Sequence, residues 1–241
     1  MCAICYWQVI KMQATIDAYR ERIEEIELYY SAIKQLYDTQ GEFGTEYNFN
    51  SDDFLKVLKS NALLMIYNLV ESSITSGILE IYDEFKSNGY TFKDVRKEIQ
   101  DIWFSFMFNQ VYDRKAHYNS YRDKAMQIIN QILNNEIVEL DRKAVEISGN
   151  LDADKIRNLC KEHGIVYELD VECKGGYVLR DVKNKRNELS HGTTSFVECG
   201  RNYSIDDLVN IKDQTIKFLD CILDGMKQYY DNKSYLHQIT V

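Results

Sequence analysis

The chain has 241 residues, a formal net charge of −9 and a hydrophobic share of 45%, which excludes wholesale disorder and allows one large domain or two small ones. It contains no proline and only 11 glycines, which argues against collagen-like chains and turn-dense all-β folds. The acidic balance argues against indiscriminate coating of nucleic acid but leaves room for a local basic patch.

The N-terminal region and the cysteines favour a soluble, cytoplasmic protein. No basic segment precedes the apolar start, which argues against a secretory signal, and residues 1–11 are a candidate N-terminal extension. Six irregularly spaced cysteines favour unpaired thiols. The CxxC pair Cys2 and Cys5 could form a zinc site with Cys160 and His163, but no second CxxC follows, and we expect no metal. The window 60–79 contains Glu71, so it is a poor membrane span and a good buried helix.

The first half of the chain predicts three helices. Ser51, followed by two acidic residues, starts the second helix, which ends near Gly89. Thr91 with Asp94 resembles the N-cap of a third helix. This helix ends in the aromatic stretch 103–108, for which we favour core packing over a subunit interface. The first helix is predicted by an apolar stripe with alternating steps of three and four, formed by Ile16, Tyr19, Ile23, Ile26, Tyr30, Ile33 and Tyr37.

The second half predicts further helices separated by glycines and capping residues. A fourth helix is expected over about 121–147, a short one from Asp152 to Gly164, and another over 177–190. Ser204 caps the last long helix. Two irregular or β excursions are expected near 165–176 and 192–203. With no repeat or domain boundary in view, the prediction is a single all-α domain, 1–241, of six or seven helices with a tail at 231–241.

A basic segment stands out in this acidic chain. From Lys174 to Arg201 there are six Lys or Arg residues against three Asp or Glu residues. Charge runs are most often solvated helix faces. The alternative is that this segment guides a phosphate backbone, with Arg180, Lys183 and Lys185 as candidate RNA-binding residues.

The same segment contains residues that suit phosphodiester chemistry. Arg186 and His191 have the spacing Rx4H, and Asn187 follows the arginine. A histidine exchanges protons near neutrality, and an arginine binds phosphate and stabilises developing charge, so metal-free attack by an RNA 2′-OH is feasible. On an ideal helix Arg186 and His191 lie about 140° apart. They converge only if the helix ends near Ser190 or a second subunit completes the site.

Other polar residues are weaker candidates. A polar stripe on the second helix is either a solvent-facing edge or the lining of a cleft, and its members are Asn68, Glu71, Ser72 and Thr75. Glu71 is a candidate for orienting Arg186. His117, His163 and His237 are interpreted as surface histidines. No Gly-rich phosphate loop, HExxH or GxSxG occurs, so the sequence indicates no cofactor.

Three segments resemble the HEPN superfamily, in particular a bacterial HEPN-like nuclease subfamily of conflict and defence loci. The segments are 183–192 with its continuation to Tyr203, 67–72 and 149–153, and the resemblance extends from about Met12 to about Tyr230. It implies a helical bundle that dimerises through its motif-bearing helices. It also implies a metal-independent endoribonuclease.

The resemblance assigns roles to individual residues. Arg186 would bind phosphate, His191 would act as acid and base, and Asn187 would position the substrate. Many members act as toxins or defence effectors restrained by a partner encoded nearby. Some toxins have a tyrosine two residues after the histidine, whereas Thr193 stands here, so regulation through that tyrosine is not expected.

Two other classes of function remain open. A non-catalytic HEPN module would bind RNA, a nucleotide or a partner protein, and the Ile/Tyr stripe and the aromatic stretch suit that role. A helical signalling adaptor would explain the fold but leave the Arg–Asn–His set to chance. The intact set favours the enzyme.

Overall fold

The computed structural model describes residues 12–39, 51–109, 118–145, 147 and 149–237. Within these residues it contains eight α-helices and no strand, which confirms the all-α prediction. The helices are α1 (Gln13–Asp38), α2 (Ser51–Asn88), α3 (Lys97–Asn109), α4 (Tyr118–Leu133), α5 (Ala153–His163), α6 (Val178–Ser190), α7 (Phe196–Arg201) and α8 (Ile205–Asp231).

Helix α2 is the centre of the fold. Helices α1, α6, α7 and α8 all pack against it, and side chains on several of its faces, such as Leu63, Ile66 and Ile74, are fully buried. By length and composition α2 could cross a membrane, but most of it is buried inside the protein. Such burial is the ordinary state of a core helix in a soluble protein.

The apolar stripe of α1 packs within the chain. Tyr19, Ile26, Tyr30 and Ile33 are buried, chiefly through the contact of α1 with α2. The Tyr19 hydroxyl also donates a hydrogen bond to Asp220 on α8, at 2.8 Å. Most of this stripe is therefore used for folding within the chain, whereas Tyr37 at its C-terminal end is 52% exposed.

The aromatic stretch of α3 is mainly core, as expected. Trp103 and Met107 are buried, and the Trp103 ring packs against Phe92 with centroids 5.3 Å apart. Phe106 and Phe108 are partly buried against the core, whereas Phe104 has 45% of its surface exposed.

Two predicted helix boundaries are wrong. The Thr91 amide and hydroxyl both donate to the Asp94 carboxylate, but these bonds close a turn, and α3 begins only at Lys97. The fourth helix ends at Leu133 instead of 147, because Asn135 adopts a left-handed conformation with φ 51°.

The excursion at 192–203 contains the helix α7, so the irregular or β interpretation is wrong for residues 196–201. Ser195 and Glu198 form a capping box at the start of α7. A Cβ on Gly200 would lie 1.9 Å from the Lys56 carbonyl oxygen, so glycine lets α7 pack directly on α2. The other excursion is a loop followed by a 3-10 turn at Val171–Gly176.

The chain after α8 folds back onto the core. Tyr235 is buried, and its carbonyl accepts a hydrogen bond from the Arg96 amide at 2.8 Å. Residues 238–241, residues 1–11 with both CxxC cysteines, and His117 lie outside the described residues.

Candidate functional site

Helix α6 carries the Arg–Asn–His set, and its C-terminal end is built by a Schellman motif. The Gly192 amide donates to the Leu189 carbonyl, and the Thr193 amide donates to the Glu188 carbonyl. Gly192 has φ 68°, a conformation that suits glycine. The helix therefore ends at Ser190, with His191 as its C-cap.

Arg186 turns toward the core. Its guanidinium carbon lies 4.9 Å from the centre of the Tyr67 ring on α2. Its Nη1 donates to the Gly149 carbonyl at 3.4 Å and to Asn187 Oδ1 at 3.0 Å. A Cβ on Gly149 would lie 3.1 Å from Nη1, so the glycine makes room for the guanidinium.

Asn187 is held by the same turn. Its Nδ2 donates to Asn150 Oδ1 at 2.9 Å, next to the Gly149 carbonyl that binds Arg186. In the sequence, residues 149–150 stood out only as part of the resembling segment 149–153. The structure adds them, together with Tyr67, to the candidate site.

Tyr67 is nearly fully buried, and its hydroxyl accepts a hydrogen bond from the Leu151 amide at 3.2 Å. Burial raises the pKa of the Tyr67 phenol, and the nearby Glu71 carboxylate acts in the same direction. The Leu151 amide and the Arg186 charge oppose this shift without cancelling it. The phenol therefore stays neutral at physiological pH.

No ion pair between Glu71 and Arg186 appears among the described residues, although both lie near Tyr67. Glu71 interacts with the Tyr67 hydroxyl and pairs with Arg142 at 3.6 Å. Asn68 is exposed, whereas Thr75 is buried. The predicted polar stripe thus runs from the surface into the core, and Glu71 lies at the transition.

The predicted RNA-binding residues are ion-paired. Three cations on α6 each bind a carboxylate, and the pairs are Lys183 with Asp152 at 2.6 Å, Lys185 with Glu188 at 2.9 Å and Arg180 with Asp154 at 3.1 Å. The local positive charge is therefore partly neutralised. Burial acts to raise the pKa of Asp152, but the bonds from Lys183 and from the Lys155 amide outweigh it and lower the pKa.

His191 is exposed. Its backbone amide donates to the Asn187 carbonyl at 2.9 Å, and its ring makes no hydrogen bond to any residue that the structure describes. Arg186 and His191 thus lie at one end of α6, but one side chain is turned inward and the other faces solvent.

His163 is buried, so its interpretation as a surface histidine is wrong. Its Nδ1 donates to the Leu159 carbonyl at 2.8 Å, and its Nε2 accepts from the Tyr82 hydroxyl at 2.6 Å. Burial lowers its pKa to about 4. Both ring nitrogens are engaged and burial raises the pKa of the Cys160 thiol to about 12, so neither side chain is a ready metal ligand. Within the described residues, no cluster of three or more His, Cys, Asp or Glu could hold a metal ion.

The fold and the site together define an all-α protein with an Arg–Asn–His set at the end of a late helix. The family model of the HEPN_MAE_28990-like HEPN family matches residues 12–235, and the chain belongs to that family. Comparisons with curated proteins and with solved structures found no significant match.

Proposed function

We propose that this HEPN protein is a metal-independent endoribonuclease. The observation that carries the proposal is the end of α6, where Arg186 and Asn187 are held by Tyr67 and the 149–150 turn. The same helix end presents the exposed His191 to solvent. A phosphate binder and a proton acceptor then lie at the same end of α6.

The proposed reaction uses the RNA's own nucleophile. His191 removes the proton of a 2′-OH, whose oxygen attacks the adjacent phosphorus, and the P–O5′ bond breaks. The products are a 2′,3′-cyclic phosphate and a 5′-OH that receives a proton. Both hydrogen bonds of Arg186 within the described residues use Nη1, so Nε and Nη2 remain for the phosphoryl oxygens.

A homodimer through the α6 helices is part of the proposal. Within one protomer Arg186 is turned inward and His191 is exposed, so a second copy across a shared cleft supplies the opposing residues. We further propose a cytoplasmic toxin or defence effector with an inhibitory partner protein, as its family resemblance implies.

The central test is cleavage of single-stranded RNA by the purified chain in EDTA. We expect cleavage by the wild type and a loss of about 100-fold or more in Arg186→Ala and His191→Ala. Matched controls are Arg20→Ala, an exposed arginine on α1, and His237→Ala, another exposed histidine, which should leave the rate unchanged. Cleavage that persists in both site variants would overturn the site assignment.

Substrate chemistry gives an independent check. An oligonucleotide with a single ribonucleotide in a DNA strand should be cut only after that ribonucleotide, and a 2′-O-methyl group there should block the cut. Cleavage of the all-DNA strand would contradict attack by a 2′-OH.

The alternative is a non-catalytic HEPN module that binds RNA or a partner protein. The ion pairing of Arg180, Lys183 and Lys185 favours it, because these pairs reduce the charge available to a phosphate backbone. Expression in bacteria separates the two functions. Toxicity that is lost in His191→Ala supports the nuclease, and toxicity that is unchanged supports the binding module.

A further inference from the structure

The ring of Tyr67 is the only aromatic face that contacts Arg186 among the described residues. It belongs to the central helix α2 and is 1% exposed. The guanidinium carbon lies 4.9 Å from the ring centre, which is within the range of a cation–π contact.

This ring is itself fixed. Its hydroxyl accepts the Leu151 amide hydrogen at 3.2 Å, and its α2 neighbours Ile66 and Val70 are buried. Since both the ring and its polar end are held, the plane under the guanidinium cannot shift without disturbing α2 and the 149–151 turn.

An aromatic face holds an arginine in a way that a carboxylate does not. It uses the π cloud and leaves the N–H donors free, and it does not neutralise the charge. The described residues place no carboxylate in an ion pair with Arg186, whereas the neighbouring cations Lys183 and Lys185 each have one. Among the described residues, Arg186 is thus the cation of α6 whose charge no carboxylate balances and whose N–H donors are mostly free.

We infer that Tyr67 is a positioning residue for Arg186, and that Gly149 sets the second boundary of the guanidinium. This inference rests on the proposed function. Tyr67 touches no substrate in it and acts through the arginine, by holding the guanidinium where the phosphoryl oxygens develop charge. Displacing a transition-state group by about 1 Å costs up to about 100-fold in rate.

The first experiment compares Tyr67→Phe with Tyr67→Leu in steady-state RNA cleavage. Phe keeps the ring and should retain a rate within about three-fold of wild type, whereas Leu should lower kcat by about 10- to 100-fold with KM nearly unchanged. Tyr235→Leu, which truncates another buried tyrosine, is the matched control for core damage and should leave kcat per folded molecule unchanged. A folded Tyr67→Leu variant with wild-type kcat would overturn the inference.

A second variant reaches the guanidinium without touching Tyr67. In Gly149→Ala the added Cβ would lie 3.1 Å from Arg186 Nη1. Because this contact pushes on the guanidinium, the variant should also lower kcat. Gly89→Ala is its control, because Gly89 has a similar φ of 67° but no atom within 4 Å of the added Cβ. Equal kcat values in the two glycine variants would count against the inference.

A readout independent of cleavage separates this inference from the proposed function. The NMR signal of the Arg186 Nε–H, assigned by its loss in Arg186→Lys, should be shifted upfield by the ring in wild type and Tyr67→Phe, and should lose that shift in Tyr67→Leu. If the wild type shows this pattern but cuts no RNA, the nuclease proposal fails and the positioning contact stands. An unshifted wild-type signal overturns the contact whatever the activity.

Discussion

The C-terminal ends of α5 and α6 carry the same dipeptide in the same backbone motif. His163 precedes Gly164, and His191 precedes Gly192. At each end the glycine amide donates to the carbonyl three residues earlier, and the following amide donates to the carbonyl five residues before it. Both glycines are left-handed, with φ 70° and 68°.

The surroundings of the two histidines are opposite. His163 is buried between Tyr82 and the Leu159 carbonyl, whereas His191 is exposed. The same local motif thus produces a structural histidine at one end and a candidate catalytic histidine at the other. The role of each histidine is therefore decided by its tertiary contacts and not by the motif at the helix end.

The largest expected effect is that one histidine variant loses stability, whereas the other loses RNA cleavage. His163→Ala should lower the free energy of unfolding by about 3 kcal/mol, because it leaves a cavity and an unsatisfied Tyr82 hydroxyl. His191→Ala should change that free energy by less than about 0.5 kcal/mol but lower RNA cleavage by about 100-fold. Urea titrations and cleavage assays on both variants measure these two effects. Similar losses of stability in both variants would contradict the difference between the two histidines.

His163 should make its own contribution to the pH dependence of stability. The pKa of His163 is about 4 in the folded protein, against its ordinary value of 6.5 in the unfolded chain. The unfolded chain therefore binds the proton first as pH falls. The contribution of His163 is complete above pH 6.5 and is lost toward pH 4, by up to about 3 kcal/mol. The unfolding free energy of wild type minus His163→Gln should fall over this range, and a difference that stays flat would refute the assignment.

The two glycines should differ in what an added methyl group costs. Gly192→Ala adds only backbone strain, since nothing lies within 4 Å of the new Cβ, and should cost about 1 kcal/mol. In Gly164→Ala the added Cβ would also lie 2.7 Å from the Arg96 guanidinium. Because Glu98 and the Gly164 and Ser234 carbonyls hold that guanidinium, the free energy of unfolding should fall by about 2 kcal/mol. Thermal unfolding of the two variants measures these costs, and a larger loss of stability in Gly192→Ala than in Gly164→Ala would contradict the prediction.

The smallest expected effect concerns the far end of α6. Asp154→Asn releases Arg180 from its ion pair and should strengthen RNA binding by about three-fold at low salt, with the gain lost at high salt. Asp101→Asn makes the same charge change on α3, where its partner is Lys97, and serves as control. Equal gains in both variants would indicate a general charge effect and not a path for RNA along α6.

Local sequence signals predicted much of the fold. The caps at Asp152 and Ser204 and the C-terminal Gly164 lie where expected, because a cap is decided within about five residues of chain. The Thr91–Asp94 pair shows the limit of such signals. Its hydrogen bonds form, but they close a turn, since the same local bonds serve turns and helix starts.

The sequence by itself determined the all-α class, most helix ends and the presence of Arg186, Asn187 and His191 at the end of one helix. It could not determine that Tyr67 lies under Arg186 or that His163 is buried. Both depend on contacts between residues far apart in the chain, whose formation is set by how α2, α5 and α6 pack. Burial and long-range contact are properties of the packed helices, and only the tertiary structure decided them.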